Sequence, residues 1–268
     1  MTASTVHHSG MGLPLEGLHC WSGEAMTQQV WFRRVDEPEL EALEGMVEKA
    51  RDRVGNDPNA LLEMTACDFA LGVFDAVIRD IEFDLRHGKG FSVIRTLPVH
   101  RWTPIETLIA YWGIGCQLGI PLSSNASGDM VGHVIDVGAD YEQPNIRGYD
   151  TNSKLSYHAD QCDVVGLLCR QPAKEGGVSK LVSTGAVYNE MLRRRPDLLT
   201  VLKEPLYFSW MGEEVPGSEP WYRAPVFDFV EGQFNCASGI NHIRKGHALP
   251  GAPAMTNARF IPNTWLVT

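Results

Sequence analysis

The apolar pattern changes period part-way along the chain, and that change limits the fold more than any other feature. Within "DEPELEALEGMVEKARDRVG", Leu40, Leu43, Met46, Val47, Ala50 and Val54 follow helical spacing behind the start signal Asp36-Glu37-Pro38. A second helix is predicted to carry Phe69, Val73, Phe74, Val77, Ile78, Ile81 and Leu85 on one side and to stop at "HGKG". "FSVIR" follows as a strand. A third helix opens with the capping box Thr103-Pro104-Ile105-Glu106, buries Ile105, Leu108, Ile109 and Trp112, and ends near Gly119 and Pro121. Beyond it the runs are short and β-type: "MVGHVIDVG", "DVVGLLCR", "SKLVS", "LYFSW", "APVFDFV" and "QFNCASG", separated by Gly, Pro, Asn and Asp clusters. "VEGQF" reads as a tight hairpin in which Gly232 takes positive φ. One helix, "TGAVYNEMLRRRPDLLTVL", interrupts the strands and is entered through Ser183 or Thr184. Helices first and strands afterwards predict an α+β chain with a sheet sandwich or barrel at its heart. No linker is visible, so residues 1–268 read as a single domain.

The net charge is −10, which argues against non-specific nucleic-acid binding and against an anionic-membrane anchor. No apolar run reaches the length of a membrane span, and the N-terminus lacks the basic-then-apolar order of a signal peptide. The expectation is a cytoplasmic protein. The six cysteines form no C-x-x-C pair, and their mostly apolar surroundings predict reduced, buried thiols.

The chemistry concentrates in "SYHADQCDVVGLLCRQPAKEGGVSKLVST". Alternate side chains of a strand share a face, so His158 and Asp160 can converge on one ion while Ala159 points away. One imidazole and one carboxylate make two-thirds of the facial triad of non-haem Fe(II) oxygenases. An isolated H-x-D is a weak signal, since it is more often a surface pair than a metal site.

The context strengthens it. The H-x-D, the apolar run "VVGLLC", the turn "PAKEGGVS", the run "KLVS" and the helix "VYNEMLRRRPDLL" together resemble the taurine/2-oxoglutarate dioxygenase (TauD/TfdA-like) family. "GKGFSVIRTLPVHRW", "YWGIGCQLGIP", "GHVIDVG" and "PWYRAPVFDFVEGQF" are similar to it as well, so the resemblance covers roughly residues 25 to 257. It implies a double-stranded β-helix (jelly roll) flanked by helices, Fe(II) at the barrel mouth and 2-oxoglutarate as co-substrate. It also implies dioxygen and a small organic molecule as reaction partners. By motif match, His158 and Asp160 would be the first two iron ligands and Ser179 would stand near a 2-oxoglutarate carboxylate. The loop "YEQPNIRGYDTNSKLSY", with Arg147, Tyr149, Asn152 and Lys154, would border the substrate pocket.

The family's third ligand, a distal histidine, is followed a dozen residues later by an arginine that pairs with 2-oxoglutarate. After Asp160 this chain offers only His242 and His247. His247 and Arg259 mimic the His/Arg spacing, yet "KGHALPGAPAMTNAR" reads as Gly/Pro-punctuated loop, with both histidines in surface turns. The comparison implies a family domain that ends early, with its last core strands missing. The expectation is then an oxygenase of impaired activity, with uncovered sheet edges that favour homo-oligomers. The competing reading is a catalytically inactive fold remnant that acts as a binding or scaffold protein.

Overall fold

A computed structural model of the chain describes residues 12–253 and 255, apart from 56 and 144. Arg259, the segment 260–268 and the His7–His8 pair lie outside the described residues. The chain divides into two compact units. One comprises Gly17–Leu122 with Val164–Ser183, and the other comprises the chain through Glu16, Ser123–Asp163 and the chain from Thr184 onward.

The first of these is mainly helical. Its elements are α1 (Gln28–Trp31), β1 (Phe32–Arg34), α2 (Glu37–Val54), α3 (Pro58–Leu62), α4 (Asp75–Arg86), β2 (Val93–Arg95) and α5 (Pro104–Leu118). β1 and β2 pair in parallel, with Arg33 opposite Ile94. α2 starts where the sequence predicts: Asp36 accepts the Glu39 N–H at 3.0 Å and Glu39 accepts the Asp36 N–H at 3.0 Å. α5 opens with the same device, as Glu106 accepts the Thr103 N–H at 2.8 Å. Leu43, Met46, Val47, Ala50 and Val54 of α2 are buried, and so are Thr107, Ile109, Ala110 and Trp112 of α5. Fully burying each large apolar side chain contributes about 1.5–3 kcal/mol. The Trp112 indole donates to the Met64 carbonyl at 3.0 Å, which satisfies its N–H inside the core.

The expected second helix is shorter than its pattern. Phe74 is buried and Phe69 packs inward, but both belong to the 3₁₀ turns Ala66–Asp68 and Gly72–Phe74 or their edges, and Val73 is exposed. Gly72 at φ 58° breaks the helical path before Asp75.

In the other unit lie α6 (Thr184–Arg194), α7 (Pro196–Leu202), β3 (Leu206–Ser209), β4 (Trp221–Ala224), β5 (Phe227–Val230), β6 (Gln233–Cys236) and α8 (Ile240–Ala248). The expected single helix is split at Arg195 (φ −142°, ψ 61°), because the residue before a proline is pushed out of the helical region. β3 pairs antiparallel with β4, and β5 with β6. Val230 faces Gln233 across a two-residue loop, with Glu231 at φ 51° and Gly232 at φ 79°, the mirror-image turn expected of "VEGQF". The core centres on buried Tyr188, set edge-on to Phe227 and Phe229 and tilted against Phe234. Its hydroxyl accepts the Gly12 N–H at 2.9 Å.

Three expected strands are not strands. "MVGHVIDVG", "DVVGLLCR" and "SKLVS" run as coil, and Leu167 and Leu181 are 77% and 61% exposed. A run with β propensity becomes a strand only where a neighbour completes its hydrogen bonds, and no described segment does so here. The described strands form three separate two-stranded sheets rather than a closed barrel. No helix among the described residues is long and apolar enough to cross a membrane.

The cysteines also depart from expectation. Cys67, Cys162 and Cys169 are exposed, and Cys20, Cys116 and Cys236 are half-buried. Short polar neighbourhoods in turns and coil override the apolar runs beside them. Burial pushes the Cys236 thiol up to about 12. Since the thiolate is the nucleophile, Cys236 is expected to stay unmodified by iodoacetamide at pH 8 under conditions that alkylate Cys67 and Cys169 fully. Peptide mapping checks this; alkylation of Cys236 at the same rate would contradict it.

Candidate functional site

His158 sits where backbone contacts tie the H-x-D segment to a neighbour. It forms an isolated antiparallel bridge with Gly239, just before α8, and the Ala159 N–H donates to the Ser238 carbonyl at 2.7 Å. The segment is therefore extended but not part of a ladder. The imidazole Nδ1 lies 2.7 Å from the Ser156 carbonyl and donates to it, which leaves Nε2 as the nitrogen turned toward Asp160. That nitrogen stands 3.9 Å from an Asp160 carboxylate oxygen, and the two side chains are 43% and 51% exposed. The two side chains thus approach each other from a segment that is not a strand.

Donors to one ion at about 2.1 Å lie about 3 Å apart when adjacent in an octahedron. His158 and Asp160 need to close by under 1 Å, which exposed side chains do without moving backbone. Their donor types, one imidazole and one carboxylate, fit a hard-to-borderline divalent ion. Among the described residues no third His, Cys, Asp or Glu completes a cluster with them.

The two downstream histidines are not in surface turns. Both lie on α8, whose buried residues Ile243, Gly246 and His247 mark one helical face. That spacing was available in "INHIRKGHA" but is masked by the Gly/Pro-rich stretch behind it. His247 is buried and fully committed: Nε2 accepts the Tyr207 N–H at 3.3 Å and Nδ1 donates to the Pro253 carbonyl at 2.8 Å. It has no nitrogen left for a metal. His242 donates Nδ1 to the Ser209 carbonyl at 3.3 Å and packs toward Gly239, the bridge partner of His158. Burial lowers its pKa, the Ser209 bond opposes this, and the charges of Arg147, His158 and Lys245 lower it further.

The residues just before α8 bridge the H-x-D, and α8 in turn contacts the turn after β3 through His242 and Ser209 and the loop that holds Tyr141, Glu142 and Ile146. The loop is docked on α8 by polar contacts. Asn241 donates to the Tyr141 hydroxyl, Arg244 pairs with Glu142 at 3.1 Å, and Lys245 donates to the carbonyls of Gln143 at 2.7 Å and Ile146 at 3.3 Å. Arg147 pairs with Glu213 in the turn after β3. On another side, Gln161 donates to the Tyr222 hydroxyl. Tyr222 stacks on Phe208 and leans against Trp210, and its burial raises the phenol's pKa. Of the loop residues singled out from the sequence, Arg147 forms the ion pair with Glu213.

Ser179 belongs to the other compact unit, on exposed coil that follows Gly176 and Gly177 at φ 72° and 66°. Ser183, at the N-cap position of α6, donates to the His19 carbonyl.

Comparison with known proteins agrees with the motif reading. The chain is 35% identical to FR-33289 synthase of Streptomyces rubellomurinus over 153 residues, 57% of this chain and 45% of that protein. It is 28% identical to the taurine hydroxylase-like protein SAT17 of Stachybotrys chartarum over 192 residues, 69% of this chain and 48% of that protein. The chain spans about half the length of these curated relatives. The model of the family described as taurine catabolism dioxygenase TauD, TfdA family matches residues 71–250, a span that holds the H-x-D, its bridge partner Gly239 and the whole of α8. A match over that much of the chain makes this protein a member of the TauD/TfdA dioxygenase family.

Proposed function

We propose that the chain carries the metal-binding part of an Fe(II)/2-oxoglutarate-dependent oxygenase that oxidises a small organic substrate, with His158 and Asp160 as iron ligands. The observation that carries this reading is the convergence of His158 Nε2 and an Asp160 oxygen at 3.9 Å, with Nδ1 anchored on Ser156. When bound, iron with 2-oxoglutarate supplies dioxygen chemistry: the co-substrate becomes succinate and CO₂ while a substrate C–H becomes C–OH. The residues of the chain orient and protect. Ser156 holds the His158 tautomer, and the Gly239 bridge fixes the backbone between the two ligands. Trp210 and Tyr222, backed by buried Phe208, offer an apolar surface against which a substrate carbon skeleton can lie. In this reading Ser179 contributes a hydroxyl to a 2-oxoglutarate carboxylate. The jelly roll of the family is likewise part of the proposal, since it requires the coil runs near 134, 165 and 180 to be paired as strands.

The test is anaerobic addition of Fe(II) and then 2-oxoglutarate, with the visible charge-transfer band as readout, followed by succinate formation in air. A band together with succinate above the His158→Ala background is the expected result. No band at millimolar 2-oxoglutarate would favour the inactive-remnant reading instead.

A further inference from the structure

We propose that Trp210 is a specificity-determining residue of this site, a platform on which a planar aromatic ring of the substrate stacks. The proposal rests on the oxygenase reading and names its substrate class. Three observations carry it. Leu206 and Phe208 share one face of β3 and are 3% and 1% exposed, whereas Trp210, just past the strand end, is 36% exposed. Trp210 and Phe208 both meet the Tyr222 ring, the indole at 4.3 Å between centroids and 43° between planes. Among the described residues the indole has no second ring neighbour. The backbone beneath it is fixed: its N–H donates to the Pro220 carbonyl at 3.1 Å, its carbonyl accepts the Glu213 N–H at 3.2 Å, and the chain turns at Met211 with φ 57°. Finally, the Tyr222 hydroxyl accepts from Gln161, the residue after Asp160, which ties the platform to the H-x-D.

A lone exposed tryptophan is ordinary on a protein surface. This one continues a buried face and is joined, through Tyr222 and Gln161, to the neighbour of a proposed iron ligand. Phe208 stacks on Tyr222 at 5.2 Å and 20°, so the phenol ring that carries the indole is itself braced by the core. Burial raises the Tyr222 pKa, so the phenol stays neutral and adds no charge to the platform. The cation of the same sheet is engaged elsewhere: Arg223 lies over Tyr207, whose side chain alternates to the other face from Phe208. What remains is a broad, flat, uncharged π surface. A second planar ring gains ring–ring attraction there in addition to area burial, and a saturated ring of the same size does not. The fixed backbone keeps the ordering cost of that contact low. Gln161 and Tyr222 are positioning residues, since their bond holds the platform beside Asp160 and leaves the stacking to Trp210.

The experiment titrates the metal-free chain with acetophenone, with its saturated match cyclohexyl methyl ketone and with tetramethylammonium, followed by saturation-transfer NMR. Acetophenone is expected to bind at millimolar concentration and several-fold more tightly than the other two. Trp210→Leu is expected to weaken acetophenone on the order of fivefold, the scale of an aromatic pair, and to leave cyclohexyl methyl ketone within about twofold. Trp210→Phe, which keeps a ring, is expected to recover most of the loss. Mn(II) then locates the probe: bound at His158 and Asp160, it is expected to broaden the acetophenone proton lines. Tyr222→Phe and Gln161→Leu cut the tie but keep the rings, so they are expected to preserve metal-free affinity and reduce the broadening. No acetophenone binding, equal loss of both ketones in Trp210→Leu, or tighter binding of tetramethylammonium overturns the aromatic assignment. Trp210-dependent binding without broadening, in a chain whose Mn(II) is bound by EPR, overturns the placement beside the H-x-D. Failure of Mn(II) to bind would sink the metal reading, while the Trp210-dependent preference for the planar ketone is decided by the metal-free titrations.

Discussion

Gly246→Ala is expected to destabilise the chain by about 3 kcal/mol or more, at the upper end of what overpacking costs. The residue lies inside α8, where alanine ordinarily gains about 1 kcal/mol over glycine from propensity. The packing reverses that sign. A methyl group at Gly246 would lie 2.7 Å from the Phe208 carbonyl carbon and 2.7 Å from the Ser209 nitrogen, and closer still to the Tyr207 carbonyl oxygen. All three are backbone atoms of β3, so no side-chain rotation relieves the clash. α8 would have to lift off β3, breaking the His247–Tyr207 bond and shifting Gly239 and His242 beside His158. Small domains hold only about 5–15 kcal/mol in total, so the loss is large. Urea denaturation measures it. A variant within 0.5 kcal/mol of wild type, on the order of an ordinary surface change, would show that α8 does not pack on β3 this closely.

The second large effect concerns metal affinity. His158→Ala and Asp160→Ala are each expected to weaken Fe(II) or Mn(II) binding by more than about 100-fold, since losing even an orienting neighbour of a ligand costs roughly 10–100-fold. His247→Ala is expected to leave metal affinity unchanged while lowering stability by about 1–3 kcal/mol, because it strands the Tyr207 N–H and the Pro253 carbonyl in a partly buried setting. His242→Ala stands between these cases: its Nδ1 is committed to Ser209, and its Nε2 has no described partner. Metal titrations under argon, followed by Mn(II) EPR, separate the four variants. Wild-type affinity in Asp160→Ala would end the H-x-D reading, and a loss confined to His247→Ala would require α8 to unpack on binding.

The helices were legible because their signals are local. Asp36 with Glu39 and Thr103 with Glu106 sit three residues apart and close on each other without outside help. The "EG" hairpin turn was legible for the same reason: short spacing and side-chain chemistry carry it. The runs near 134, 165 and 180 were not, because strand pairing depends on a partner that the run itself does not contain. α8 was hidden behind its own glycine, whose purpose appears only when β3 lies 2.7 Å from where a Cβ would be. The sequence by itself therefore determined the caps, the turn and the pair of candidate ligands. Only the tertiary structure decided that His247 is spent on backbone, that Gly239 bridges His158, and that Arg147 pairs with Glu213, since each of these depends on residues brought together from across the chain.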